Sequence, residues 1–387
     1  MARPECLYFT GYKPCGRSVQ CDYSCQEFQP RGATILVVHL EALGAVVRAT
    51  SILPSIKRKC PQSQITWVTQ APAHHLLANN PYVDRILTTS ASDLLALSAL
   101  HFDFAFVVDK SLKAGGVLHR VTYDHLFGFQ VDRETGVIMP ASEAARELWE
   151  LGLDDHRKFF VNKKPETQLM IEALELGPYR RDPYVIRLSD VETREVSFRR
   201  AAWAPQGEIL VGINTGCSPT IPYKKLSIER QRELVANLIK VSGIRVVLLG
   251  GPEDDERNRL IGVGYPVIQS PTGAGLRDGL VSTAACDIVV SGDSLGMHMA
   301  IALGKWVVAW FGPTCAHEID LYDRGVIVHT GVRCGPCWKR SCNRSEMCYD
   351  RVALNDLLSG VRKGIEWRTS STRQPSSATC SYPFPLF

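Results

Sequence analysis

Short apolar runs alternate with segments of helical periodicity along most of this chain. The first four runs are Ile35–Val38, Ile65–Val68, Arg85–Thr88 and Phe104–Val108. Short runs bounded by turn-forming residues are typical of buried strands. Strands that alternate with helices form parallel sheets, because each helix carries the chain back to the same edge of the sheet. The alternation therefore predicts a doubly wound α/β fold.

The alternation stops and then begins again, which predicts two domains. A charged helix, Asp190–Trp203, is expected to lead into the second set of strands, which is Ile209–Ile213, Arg245–Leu249, Ile288–Val290 and Trp306–Trp310. A chain of 387 residues also exceeds the roughly 250–300 residues at which single cores stop growing. We predict a Cys-rich segment over 1–30, Rossmann-like domains over 31–190 and 205–350, a terminal helix over 351–367 and a disordered tail over 368–387.

Helical spacing of apolar residues predicts most of the connecting helices. The first, Val46–Lys59, contains Pro54, so we expect a kink there. The other predicted helices are Leu76–Asn80, Ser92–Leu100 with a Ser or Asp cap, Glu143–Leu151, Pro165–Leu176, Ser227–Val241, Leu295–Leu303 and Val352–Gly364.

Charge and hydropathy exclude several classes of function. The formal net charge of +4 does not indicate a nucleic-acid-binding protein, but it permits contact with an anionic substrate or membrane surface. No apolar run follows Met1–Cys6, so no signal peptide is predicted. The apolar stretch Ile288–Phe311 is interrupted by charged residues, and a membrane helix needs about 20 mostly apolar ones. We expect a cytoplasmic protein, with peripheral contact at the inner face of the cytoplasmic membrane.

The segment Ser291–His298 lies between a predicted strand and an apolar helix. Asp293 is a suitable N-cap, and the following amides, including those of Ser294 and Gly296, would then point out of the helix N-terminus. Such an end attracts phosphate through free N–H groups and the helix dipole. The alternative is a plain helix cap with His298 packed on the helix.

A second polar loop, Asn214–Lys225, also follows a predicted strand and precedes a helix. It contains Asn214 and Thr215 and ends in the paired lysines Lys224 and Lys225, which could neutralise a diphosphate. The alternative is a solvated loop with surface lysines. The glycine motifs of dehydrogenases and P-loop proteins are absent from the sequence.

Thirteen cysteines are many for a protein of a reducing compartment, and eight of them form two clusters. The late cluster, Cys334, Cys337, Cys342 and Cys348, has a spacing that suits one four-thiolate site for zinc or iron, with an iron–sulfur cluster as a variant. A redox pair and unliganded buried thiols are the alternatives.

The early cluster has less even spacing and comprises Cys6, Cys15, Cys21 and Cys25. The first 30 residues are rich in turn formers and bury little, so a structural metal would explain how they become ordered. Whether the two clusters form one site or two stays open.

Several motifs in a fixed order resemble those of family 9 glycosyltransferases, the heptosyltransferases. The similarity covers roughly residues 33–350 and rests on Leu36–Gly44, Ser55–Asp84, Phe102–Asp109, Lys224–Glu229, Gly292–His298 and Phe311–Thr314. The ordered set is specific, although each motif alone is loose.

The resemblance implies a GT-B enzyme, in which two Rossmann-like domains face a cleft. It implies inverting transfer of a heptose-like sugar from an ADP-sugar, without a catalytic metal, to the inner core of lipopolysaccharide or a related glycan. Asp293 and His298 would contact the sugar or its phosphates, Ser294 would bind a phosphate, and Lys224 would neutralise the diphosphate. Another donor, a protein acceptor or an inactive metal-bearing binding protein are the alternatives.

Two departures from the family pattern bear on this expectation. Ala45 stands where the family has the aspartate taken as the general base, and Leu295 replaces a glycine, with Gly296 one place later. Another carboxylate must then act as the base. Glu41 and Asp109 are the candidates, and we expect Asp109, because a carboxylate at a strand end is held more rigidly than one in a loop.

Overall fold

The computed structural model describes residues 2–373. The chain divides into two compact units. The first contains the chain up to Ser189 together with His317–Asp320, and the second contains Asp190–Ala316 and the chain from Leu321 onward. Two α/β units confirm the predicted fold class.

The first unit is built on a six-stranded sheet in the order β3-β2-β1-β4-β5-β6. All neighbours are parallel except β5 and β6, which are antiparallel. The strands are β1 (Thr34–Val38), β2 (Gln64–Thr69), β3 (Arg85–Thr88), β4 (His101–Val107), β5 (Thr122–Val131) and β6 (Ile138–Pro140). The centre of the core is β1, in which Ile35–Val38 are fully buried.

The helices of the first unit are α1 (Leu43–Ala49), α2 (Leu53–Lys59), α3 (His74–Leu77), α4 (Ala91–Leu97), α5 (Leu112–Leu118), α6 (Arg146–Glu150) and α7 (Glu166–Ala173). The helix predicted over Val46–Lys59 is present but divided: a 3₁₀ turn, Thr50–Ile52, separates α1 from α2 just before Pro54, where a kink was expected. Pro54 lies in the first turn of α2, where its missing N–H costs nothing. Ser90 caps α4 by accepting the N–H of Asp93.

The second unit begins with α8 (Asp190–Trp203) and has a fully parallel sheet in the order β12-β11-β10-β7-β8-β9. Its strands are β7 (Ile209–Asn214), β8 (Ile244–Leu249), β9 (Ile268–Gln269), β10 (Ile288–Gly292), β11 (Trp306–Phe311) and β12 (Gly325–His329). Its other helices are α9 (Ile228–Leu238), α10 (Asp255–Gly262), α11 (Leu276–Ala285), α12 (Leu295–Ala302) and α13 (Leu354–Arg373).

The terminal regions differ from expectation in one respect. The helix α13 continues to Arg373, so the first part of the predicted disordered tail, residues 368–373, is helical, while the rest lies outside the described residues. Residues 2–30 carry no helix or strand, only an isolated bridge between Cys6 and Pro30. Across residues 2–373, no helix combines the length and apolar character needed to span a bilayer.

Each sheet reverses its strand order at one place, between β1 and β4 in the first unit and between β7 and β10 in the second. Ligands of open α/β sheets bind outside the carboxyl ends of strands at such a switch point. The residues that follow these strands are His39, Asp109, Thr215 and Asp293. The two switch points therefore determine where functional side chains are expected.

Candidate active site

Three polar side chains meet at the carboxyl end of β10 in the second unit. Asp293 Oδ1 lies 3.7 Å from His298 Nε2, and Asp293 Oδ2 lies 3.9 Å from Lys224 Nζ. Burial alone would raise the pKa of Asp293, but hydrogen bonding with His298 and the charge of Lys224 hold it well below its ordinary value. Asp293 is therefore ionised and keeps Lys224 and His298 oriented at the start of α12.

The predicted role of Asp293 as the N-cap of this helix is wrong. Ser294 occupies the cap position with an extended backbone, and no side chain caps the helix. The carboxylate of Asp293 lies toward Lys224 and His298, so it cannot also accept the first helical amides. An uncapped helix start beside a lysine is suited to an anion, because the amides and the helix dipole attract negative charge.

Two glycines allow the loops of this site to approach one another. A Cβ atom on Gly292 would lie 2.0 Å from the carbonyl oxygen of Lys224, and one on Gly296 would lie 2.4 Å from Asn214 Oδ1. Real Cβ atoms do not tolerate such distances, so both positions require glycine for steric reasons. The glycine at 296 is therefore explained by its contact with Asn214.

The loop after β7 contributes the other predicted donor-binding residues, in two different environments. Asn214 Nδ2 donates to the hydroxyl of Ser294 and to the carbonyl of Gly216, at 2.9 Å each, and so joins the two loops. Thr215 is fully buried, and its hydroxyl is used by internal bonds to Asn258 and the carbonyl of Leu249. The side chain of Thr215 thus supports the fold rather than facing a ligand.

The sequence alone did not indicate the polar layer behind this loop, which is formed by Gln231, Asp254 and Arg257. The carbonyl of Thr215 accepts hydrogen bonds from Arg257 Nε at 3.0 Å and from Gln231 Nε2 at 3.1 Å. A Cβ atom on Gly216 would lie 2.0 Å from Asp254 Oδ2, so this loop fits closely against Asp254. Helix α10, which carries Arg257, is mostly polar and lacks an apolar stripe. A proline followed by acidic residues at its start could have indicated it.

Lys225 lies beside this layer rather than beside Asp293. Its charge acts on Asp254, and the charges of both lysines act on Cys217, although burial raises the pKa of Asp254 and of Cys217 overall. The paired lysines therefore occupy different environments, with Lys224 at the helix start and Lys225 near Asp254.

In the first unit, Asp109 follows β4 and holds the loop after β1. Its Oδ2 accepts the N–H of Leu40 at 3.0 Å and that of Glu41 at 3.3 Å, and lies 3.7 Å from His39 Nδ1. Burial would raise the pKa of Asp109, but His39 and the amide of Leu40 lower it overall. The cap of α5 is Ser111, so Asp109 does not serve as a helix cap.

Glu41 has a different environment, exposed to solvent in the loop after β1. Its Oε1 lies 2.7 Å from Lys113 Nζ, and both side chains are more than half exposed. Ala45, in the following helix α1, carries no ionisable group. Glu41 is thus the carboxylate of this loop that is not used to hold the backbone.

Comparison of the sequence with family profiles identifies the family of this chain. The profile of glycosyltransferase family 9 (heptosyltransferase) matches residues 95–348, which is more than half of the chain. The chain belongs to glycosyltransferase family 9. This confirms the resemblance drawn from the motifs and the enzyme class, and it disfavours the inactive binding protein.

The family 9 chain is also similar to individual proteins. It is 24% identical over 301 residues to lipopolysaccharide heptosyltransferase 2 of Salmonella typhimurium, covering 72% of this chain and 83% of the relative. Its fold is similar to E. coli heptosyltransferase WaaC with ADP, with a TM-score of 0.56, 18% identity and coverage of 86% and 98%. It is also similar to the iron-containing dodecameric glycosyltransferase TibC of enterotoxigenic E. coli, with a TM-score of 0.52, 11% identity and coverage of 87% and 77%.

The late cysteines of this family 9 chain lie close together and against the loops described above. Burial raises the pKa of Cys348 to about 11, and the neighbouring Cys337, Cys334 and Cys342 contribute to the increase. The N–H of Cys342 donates to Tyr223 Oη at 3.0 Å. Tyr223 immediately precedes Lys224 in the sequence. Over residues 2–373, no group of three or more His, Cys, Asp or Glu side chains is arranged to hold a metal ion.

The first unit of this family 9 chain also contains a charged network that sequence reasoning missed. Arg48 pairs with Glu166 at 2.5 Å, and Lys158 pairs with Glu318 at 3.2 Å. Burial and the neighbouring Glu166 raise the pKa of Glu318. Arg48 lies one helical turn after Ala45, among the buried residues of α1. A charged residue on a buried helix was the sequence feature that could have predicted this network.

Proposed function

We propose that this glycosyltransferase moves a heptose-like sugar from an ADP-sugar to the inner core of lipopolysaccharide or a related glycan, with inversion at the anomeric carbon. The observation that supports this most directly is the group of Lys224, Asp293 and His298 at the uncapped start of α12. These residues lie at the positions that the family motif assigns to the donor. The ADP in the structure of WaaC and the name of the Salmonella relative, a lipopolysaccharide heptosyltransferase, agree with it.

Donor binding follows from the charges at this site. Lys224 supplies a compact positive charge for the diphosphate, and the first amides of α12 supply hydrogen-bond donors. Asp293 is an acceptor for sugar hydroxyls, since an ionised carboxylate accepts several hydrogen bonds. Ser294 and Asn214 already bond to one another, which fixes the loop before the donor arrives. Lys225 would add longer-range positive charge.

A thermal-shift screen of nucleotide sugars tests the donor class. A ligand that binds only the folded state stabilises it by about 2.7 kcal/mol at a concentration 100 times its Kd. We expect ADP and ADP-heptose to raise the melting temperature more than the UDP and GDP counterparts do. A larger shift with UDP- or GDP-sugars would contradict the donor assignment.

Inverting transfer also needs a base that removes the proton of the acceptor hydroxyl as it attacks. The environments of the two candidates reverse our expectation from the sequence. Asp109 is held by two backbone amides and by His39, and its lowered pKa makes it a weaker base. Glu41 is exposed and ion-paired only with Lys113. We therefore assign Glu41 as the base and Asp109 as the residue that positions its loop.

The acceptor and the cellular site belong to the same proposal. A glycan of the lipopolysaccharide inner core is assembled on a lipid, so the enzyme would act in the cytoplasm, in peripheral contact with the inner face of the membrane. The charge balance of the chain permits this contact. Co-sedimentation with acceptor-containing vesicles, compared with vesicles lacking the acceptor, tests it: equal binding to both would contradict recognition of the acceptor.

We further propose that the four late cysteines bind a structural zinc or iron ion. Their chemistry fits, because four neighbouring thiols form the donor set that tetrahedral zinc and iron prefer. The thiols are not yet arranged around a metal position, so binding requires a local adjustment. We expect Cys337→Ser to lose about one equivalent of metal and to melt at a lower temperature, whereas Cys60→Ser keeps the metal. Elemental analysis of protein purified without chelator measures the bound metal. Absence of metal from the wild type would contradict the site.

A further inference from the structure

The first 30 residues form a closed loop that has little to hold it together. Its ends are joined by hydrogen bonds from Leu7 N–H to the carbonyl of Gln29 and from Arg31 N–H to that of Glu5, at 2.8 Å each. Between residues 2 and 30 only Cys6 is buried. Burial of apolar side chains therefore contributes almost nothing to the order of this segment.

The interior of this loop is a cavity of about 250 Å³ onto which four thiols open, those of Cys6, Cys15, Cys21 and Cys25. All four thiols are free, and none forms a disulfide. Arg3, Lys13 and the carboxylate Glu27 line the same cavity, and Arg3 is ion-paired with Glu5 at 2.9 Å. Cysteine sulfur is the donor that closed structural zinc sites use.

The turn at Cys15 adds a second, independent observation. The backbone amides of Arg17 and Ser18 donate hydrogen bonds toward the Cys15 sulfur. Gly16 has a φ of +75°, in the left-handed region that favours glycine, and this allows the amides to turn toward the sulfur. Hydrogen bonds from amides to a sulfur stabilise its negative charge, as a metal-bound thiolate requires.

We propose that Cys6, Cys15, Cys21 and Cys25 together bind one Zn²⁺ ion that closes this segment into a folded module. Each thiol loses its proton to the solvent and forms one Zn–S bond, which gives a complex of charge −2 that Lys13 at the same cavity helps to balance. Zinc suits the site because a closed four-thiolate set is typical of structural zinc. None of the residues of this module is assigned to donor binding or to catalysis, so the proposal stands apart from the proposed sugar transfer.

The four thiols surround the cavity but are not arranged on a common metal position. Binding must therefore draw them inward, and a loop without helix or strand can make this movement. Small sites of this type commonly fold as they bind, so the free energy of binding becomes free energy of folding. If these thiols bind zinc, added zinc should protect the loop from proteolysis. Thiols that do not bind a metal would give no such protection.

Cobalt and zinc titration of the full chain tests the proposal. The metal-free protein is prepared in a Cys337→Ser background, which disables the late cluster, and Co²⁺ is added while the absorption of tetrahedral cobalt thiolate is recorded. We expect one equivalent to bind, Zn²⁺ to displace it, and the signal to vanish when Cys21→Ser is added. Adding Cys60→Ser instead should leave it unchanged.

A second measurement keeps the result independent of spectroscopy. Trypsin is expected to cut the metal-free protein after Arg17, which is exposed, and zinc should suppress this cut. A cooperative thermal transition and an unchanged far-ultraviolet circular dichroism spectrum show that each variant is folded. No tetrathiolate spectrum in the Cys337→Ser background, an unchanged spectrum in Cys21→Ser, or equal cleavage with and without zinc would each overturn the proposal, whether or not the donor assignment holds.

Discussion

The two units use the carboxylate at their switch points in opposite ways. In the second unit Asp293 interacts with side chains, Lys224 and His298, and leaves the amides of α12 uncapped. In the first unit Asp109 interacts with backbone amides and fixes a loop. One switch point is thus suited to an anion, whereas the other carries Ala45 where the family resemblance implies a catalytic aspartate. We therefore expect donor binding and acceptor activation to be separable in this chain.

The largest expected effect comes from Glu41→Gln. Removal of a general base should slow turnover by roughly 10²–10⁴-fold, while ADP binding in the second unit stays unchanged. Steady-state assays with ADP-heptose and an acceptor check this, with Glu134→Gln, another exposed carboxylate of the first unit, as the control. A larger loss in Asp109→Asn than in Glu41→Gln would reverse the assignment of base and positioning residue.

The next effect is on the donor side. Lys224→Ala should weaken ADP binding by about 1.5–3 kcal/mol, or about 10–150-fold, because a charge-assisted contact with the diphosphate is lost. Lys240→Ala removes an exposed lysine of the same unit and should leave the affinity unchanged. Calorimetry that finds equal affinity in both variants would remove Lys224 from the donor site.

The close fit between Gly296 and the loop Asn214–Lys225 gives a smaller effect. Gly296→Ala places a Cβ atom 2.4 Å from Asn214 Oδ1, so the Asn214 side chain must move and lose its bonds to Ser294 and Gly216, or the two loops must separate. We expect the free energy of unfolding to fall by about 1–3 kcal/mol. Gly273→Ala is the matched control, since nothing lies within 4 Å of its Cβ position. Urea unfolding of the two variants measures the difference, and equal stability would show that the loops yield without cost.

The smallest effect is the pH dependence at Asp109. Its pKa is lower in the folded protein, so its ionised form stabilises the fold at a pH above the unfolded value of about 3.9. This contribution disappears as the pH falls through the lower, folded value. We therefore expect Asp109→Asn to be less stable than the wild type at pH 7, by roughly 1 kcal/mol, with the gap narrowing below about pH 4. A gap independent of pH would exclude the charge as its cause.

The predictability of the fold depended on how apolar each element is. Strands such as β1 and β10 are buried on both faces, and their apolar runs indicated them within one or two residues. The half-exposed strand β5 and the two-residue strand β9 lack such runs and were missed. Helix α10 was missed for the same reason. Local sequence therefore predicts which segments are buried more reliably than it predicts which strands pair with one another.

The candidate site was predicted only where the residue type itself carries the chemistry. Lys224, Asp293 and His298 were indicated by their motif, and the structure brings them together. The burial of Thr215 could not be predicted, because it depends on Asn258 from a helix distant in sequence. The cap position was also misassigned, since Asp293 and Ser294 are both good caps and only the contacts with Lys224 and His298 distinguish them.

The hydrogen bond from Cys342 to Tyr223 has a consequence for protein engineering. A designer who wished to shorten this enzyme would regard the thiol-bearing segment near residue 342 as dispensable, because it carries no helix or strand of the sheet. Yet that segment also donates from Cys337 and Trp338 to the carbonyl of Pro313. A deletion there would remove the support of the turn that carries Lys224, so chimeras designed to exchange donor preference should transfer this segment together with the loop Asn214–Lys225.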